Sequence, residues 1–128
     1  MKVLTIREPW ASLIINWYKE YEFRSWKTNY RGKILIHAGV LLEGEIASKF
    51  IDYKLSYNKG AIIGEATLVD CILVDEKLND KLYKINPLVY EKNKYIKNYA
   101  WKLENVIKYD EPIYCKGQLG LWNFDDIK

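Results

Sequence analysis

The sequence predicts an α+β domain: a small, partly open β-barrel with helices packed on its openings. Three observations lead there. A short strand of branched residues runs straight into an amphipathic helix, a central series of segments has strand length and strand patterning, and the final third returns to clear alternation. The chain has 128 residues, 49% hydrophobic and 15% aromatic, which supplies one core and not two. Residues 1–128 are therefore expected to form one domain, and no internal repeat or linker divides them.

The elements follow in order. Lys2 to Ile6 alternates and reads as a first strand. Pro9 suits the first turn of a helix, where its missing N–H would have no partner in any case. Trp10, Leu13, Ile14 and Trp17 then recur at spacings of three and four, which gives an apolar face turned to the core and a helix ending near Lys19. From Tyr21 to Trp26 the period changes to two: Tyr21 and Phe23 share one face, while Glu22, Arg24 and Trp26 share the other. A turn over Thr28 to Gly32 leads into Lys33 to Ala38, apolar enough to be buried on both faces.

Glu43 to Tyr53 can form an amphipathic helix through Ile46, Phe50 and Ile51. Lys59-Gly60 then opens a strand pair between Ala61 and Val74. Leu78, Leu82 and Ile85 suggest a helix that Pro87 interrupts. Tyr99, Trp101 and Leu103 alternate with Ala100, Lys102 and Glu104, and strands at Pro112 to Lys116 and Leu119 to Phe124 close the series.

Composition limits the possible functions. The formal charge is +3, which permits an anionic partner but falls short of the balance expected of a dedicated duplex-DNA binder. No window approaches the roughly 18 apolar residues needed to span a bilayer, and no leader pattern stands at the start, so a cytoplasmic protein without membrane contact is expected. Cys71 and Cys115 lie far apart in apolar surroundings and read as reduced thiols. His37, the single histidine, has no companion with which to hold a metal, so neither metal nor cofactor is expected. It reads as a packed side chain, with acid–base catalysis as the sharper alternative.

The candidate site residues come from patterning. Lys19, Glu22 and Arg24 place a carboxylate between two cations, an arrangement that either satisfies itself or holds a phosphate. Arg31 joins them through the turn before the next strand. Trp26 and Trp101 fall on faces assigned to a cleft and could stack on a base, whereas Trp10, Trp17 and Trp122 read as core. The stretch from Lys81 to Lys102 carries Lys92, Lys94 and Lys97 among interleaved tyrosines, as a surface tracking a phosphate backbone would. The residues therefore point to single-stranded RNA or a nucleotide. The alternative is a metal-independent hydrolase using Lys19, Glu22 or His37 on RNA. A protein partner finds no independent support.

Four blocks, PWASLIINWYKEYEFR from Pro9 to Arg24, NYRGKILIHAG, YAWKLENV and KGQLGLW, resemble the ASCH domain family in content and order. That family is similar in fold to the PUA domains of RNA-modifying enzymes. Its signature GxKxxExR maps to Trp17, Lys19, Glu22 and Arg24, with Trp17 standing where the family usually has glycine. The departure implies either a helix that continues past Trp17 or a turn absorbed by Asn16. The resemblance implies a PUA-like barrel, a cleft between the first helix and the barrel, and action on RNA or modified nucleosides. Relatives that deacetylate N-acetylcytidine place a threonine nucleophile where this chain has Glu22, so little such activity is implied here.

Overall fold

A computed structural model describes residues 1–125 of the protein. The chain opens with β1 (Lys2–Glu8), α1 (Trp10–Ile15), β2 (Tyr21–Arg24) and β3 (Gly32–Leu42). A short α2 (Gly44–Ser48) and a 3₁₀ turn at Ile51–Tyr53 follow, then β4 (Ala61–Leu73), α3 (Glu76–Ile85), β5 (Tyr99–Tyr114) and β6 (Leu121–Asn123). The six strands form one sheet in the order β2-β5-β4-β3-β1-β6. Among the described residues only β1 and β3 pair in parallel, with α1 and β2 between them as the crossover. No helix among the described residues is long and apolar enough to cross a membrane.

The sheet curls. Edge strand β2 and β1, four places away in the strand order, are joined by a side chain: the Arg24 guanidinium donates to the Thr5 carbonyl at 2.8 Å. The edge strands β2 and β6 do not pair. The result is the partly open architecture expected, an open sheet rather than a closed barrel. Ala11, Ile14 and Ile15 of α1 enter the concave side with Leu4, Ile6, Ile34, Ile36, Ile63, Leu68, Trp101 and Leu103. Leu13, on the other side of α1, joins a second cluster with Tyr21, Phe50, Leu82, Tyr90 and Tyr95. Five consecutive residues of α1 are thus buried, as a helix enclosed by neighbours on all sides requires.

Several elements differ from expectation. The strand pair placed between Ala61 and Val74 is one 13-residue strand, and the expected strands near Tyr99 and Pro112 are one 16-residue strand. Both stay continuous because bulges between Ile62 and Gly64, Glu65 and Thr67, and Leu68 and Asp70 bend them without breaking the ladder. The helix expected over Glu43 to Tyr53 is reduced to α2 and the 3₁₀ turn. Phe50 is buried there, but Ile51 faces solvent.

Helix α1 stops at Ile15, short of Lys19. Trp17 takes φ +65°, and its N–H donates to the Ile14 carbonyl while that of Tyr18 donates to Leu13. This is the six-to-one and five-to-two closure of a Schellman motif, with tryptophan in the left-handed position glycine usually fills. Neither route inferred for that departure is followed: Trp17 itself adopts the strained conformation. It is 63% exposed, which corrects its assignment to the core. The apolar spacing ran one turn beyond the helix that produced it.

Candidate functional site

Alternation along β2 sorts its side chains as the sequence indicated. Tyr21 enters the outer core cluster, and Phe23 stacks on Tyr95 at 3.9 Å between ring centres. Glu22, Arg24 and Trp26 line a pocket of about 890 Å³ between β2 and the β1/β3 end of the sheet, which Phe23 and Ser25 also reach. Its wall also includes Thr5 and Arg7 of β1, Trp10 of α1, and His37 and Val40 of β3. The segment Cys115–Gly120, between β5 and β6, covers one side.

Charge is concentrated at one point. Glu22 Oε1 lies 3.1 Å from Lys19 Nζ, and Oε2 lies 3.0 Å from an Arg24 terminal nitrogen and accepts from its Nε at 3.1 Å. Lys19 is 2% exposed and does not line the pocket. Its ammonium also donates to the Tyr21 carbonyl and sits 4.8 Å from the Phe23 ring centre. Burial lowers the Lys19 pKa below the usual lysine range, and the Glu22 carboxylate opposes that shift. Lys19 thus anchors Glu22 from behind, while Arg24 holds it from the pocket side.

Trp101 is 0% exposed, which removes it as a stacking platform. Its alternation was read correctly, but the face it occupies is the concave core. Trp26 packs edge-on against it at 4.8 Å and remains 37% exposed at the pocket wall. Arg31 turns away, donating to the carbonyls of Thr28 and Tyr30 in its own turn.

The lysine–tyrosine stretch divides. Tyr90 and Tyr95 are buried and offer no stacking face, and burial pushes the Tyr90 hydroxyl up to about 12. Lys92, Lys94 and Lys97 are all exposed, but Lys94 pairs with Glu91 at 2.6 Å and lies 5.7 Å from the Trp10 ring centre. The thiols of Cys71 and Cys115 are both free, the first buried and the second partly so.

Arg7, Thr5, Lys116 and the apolar rim of Val40, Leu41 and Leu119 were not singled out from sequence. The one available signal was KGQLG, whose two glycines mark a segment able to lie close over other side chains.

A family model described as the ASCH domain matches residues 4–113. The chain is 31% identical over 85 residues to activating signal cointegrator 1 of Homo sapiens and of Mus musculus, a match covering 54% of this chain. It spans 14% of the length of those relatives. Among solved structures it resembles ASCH from Zymomonas mobilis, with TM-score 0.62 and 15% identity over 98% of this chain and 87% of the other. A single-substitution variant of the same Zymomonas protein aligns with TM-score 0.56 and 17% identity, over 88% and 74%. At such identities the structural likeness concerns the fold.

Proposed function

The chain belongs to the ASCH domain family, and from that premise we propose that it binds RNA by seating a nucleotide in the pocket beside Glu22, Arg24 and Trp26. The observation that carries this reading is the convergence of a guanidinium, a carboxylate and an exposed indole on one wall of a cavity of about 890 Å³. That volume suits a nucleotide-sized ligand, and an apolar lining with a few placed polar groups is what such sites use. Trp26 stacks on a base, the Arg24 fork and the exposed Arg7 and Lys116 meet carbonyl or phosphate oxygens, and Glu22 accepts from an amino or hydroxyl group. Lys92 and Lys97 extend the electrostatic attraction to flanking phosphates.

Hydrolysis draws less support. Lys19 is sealed behind Glu22, and both Glu22 oxygens are engaged by cations. Neither group is free to act as nucleophile or base.

The test is binding of short single-stranded RNA homopolymers, followed by anisotropy in chelator at two salt concentrations. Binding that weakens with salt, and that Trp26→Ala reduces about tenfold with the fold retained, is the expected result. No binding of any homopolymer at low salt would sink the proposal.

A further inference from the structure

The floor of the pocket holds an atom with an unmet requirement. His37 is 1% exposed, and its Nε2 lies 2.8 Å from the Cys115 carbonyl oxygen. A carbonyl only accepts, so Nε2 carries a proton and donates, and in the neutral ring Nδ1 is then the acceptor. Nδ1 is the one buried side-chain nitrogen or oxygen without a hydrogen-bond partner among the described residues. Buried polar groups are paired in folded proteins because an unpaired one forfeits its hydration with nothing in return. An orphan lining a pocket therefore points to something that enters.

Thr5 supplies its neighbour. Thr5 and His37 are register partners on the parallel strands β1 and β3. The Thr5 hydroxyl accepts from Trp122 Nε1 at 3.0 Å, and among the described residues its own proton has no hydrogen-bond acceptor. Gly117 lies over both groups: a Cβ placed there would stand 2.9 Å from Thr5 Oγ1 and 3.1 Å from His37 Nδ1. One small region thus offers an acceptor beside a donor, covered by backbone that carries no side chain.

We infer that a nucleotide enters base first, with the donor–acceptor edge of the base seated on His37 Nδ1 and Thr5 Oγ1 and the phosphate left outward near Arg7 and Lys116. The inference rests on the nucleotide reading above and adds the orientation and the two atoms that read the base. A base edge presents a donor next to an acceptor in the plane of a flat ring, as these atoms require; a phosphate presents acceptors only, and the hydroxyls of a bare sugar phosphate come without a ring to fill the apolar walls. The apolar walls at Trp26, Val40, Leu41 and Leu119 suit a flat ring, and the exposed cations stand at the rim. Gly117 lifts as the base arrives, because it occupies the position the base edge takes.

Nitrogen-15 NMR of the His37 ring tests this on the unaltered protein, titrated separately with uridine, uridine 5′-monophosphate and ribose 5-phosphate. Free protein shows Nδ1 unprotonated. Both uridine compounds move Nδ1 to the position of a hydrogen-bonded acceptor, and ribose 5-phosphate leaves it unmoved. Thr5→Val weakens nucleoside binding about fivefold with little change for ribose 5-phosphate. Uridine binding that shifts the Trp26 indole but not His37 Nδ1 overturns the orientation and leaves the nucleotide reading standing. A ribose 5-phosphate shift as large as that of uridine overturns base-first entry. Binding of none of the three overturns base-first entry, and the homopolymer test above then decides the nucleotide reading.

Discussion

Trp17 concentrates two costs in one residue: a left-handed backbone disfavoured by about 1 kcal/mol for a side chain with a Cβ, and a large ring left mostly in water. Trp17→Gly removes both and keeps the Schellman hydrogen bonds, so thermal unfolding should show a gain of up to about 1 kcal/mol, part of it offset by the freer unfolded chain. Trp101→Ala, on the opposite strand face from solvent, should lose about 3–5 kcal/mol by opening a core cavity. Neither the spacing of three and four that placed Trp17 nor the alternation that placed Trp101 could separate these two indoles, because periodicity records side-chain direction and not where the helix ends or which sheet face is covered.

Glu8 was invisible to that reasoning for a related reason. It is buried, its carboxylate accepts from the Ser12 N–H at 2.8 Å and the Ser12 hydroxyl at 2.6 Å, and burial raises its pKa above the usual range despite those bonds. The folded state therefore holds the Glu8 proton more tightly than the unfolded state does. Glu8's contribution to stability is full below its unfolded pKa and is lost as pH rises through the raised folded value. Glu8→Gln, which keeps an acceptor for the amide and a donor for the hydroxyl, should abolish that dependence. Denaturant midpoints of the two proteins should diverge in favour of the variant as pH rises from acid to neutral.

At the scale of elements, the period of two on β2 and the apolar run on β3 were legible because burial on defined faces dictates them. The length of β4 and β5 was not, since Gly64 and Pro112 inside them are residue types that weaken or end strands. Gly64 is in fact a point of close approach: a Cβ there would stand 2.5 Å from the Ile107 carbonyl oxygen and 3.0 Å from an Ile15 methyl. Gly64→Ala should therefore cost about 1–3 kcal/mol by overpacking, seen as a lower denaturant midpoint with unchanged slope. The lysine-rich segment was visible as composition, but its pairing was not. With Lys94 held by Glu91, neutralising Lys92, Lys94 and Lys97 together should reduce the log–log salt slope for single-stranded RNA by about 1.4, the share of two phosphate contacts rather than three. An unchanged slope would remove this segment from the binding surface.

On the scale of the whole molecule, the four blocks of sequence gave the family and the open sheet, but not what holds the curl. That role falls to Arg24, the residue most readily assigned to ligand binding alone. Its guanidinium spans from edge strand β2 to the Thr5 carbonyl on β1 and simultaneously engages Glu22, so it is both the pocket wall and the fastening between two sides of the sheet. A planar fork carries separate nitrogens that reach Glu22 and the Thr5 carbonyl at once, whereas an ammonium places all its donors on one atom and cannot span the two. Arg24→Lys should then lower stability by about 1–3 kcal/mol while preserving charge, with the loss appearing as faster amide exchange across β1 and β2 and not in α3. Arg24→Ala should cost more, because Glu22 then keeps only Lys19 as a partner. If Arg24→Lys instead melts and exchanges like the wild type while RNA affinity falls, the guanidinium serves the ligand and the curl is maintained by core packing of α1 alone.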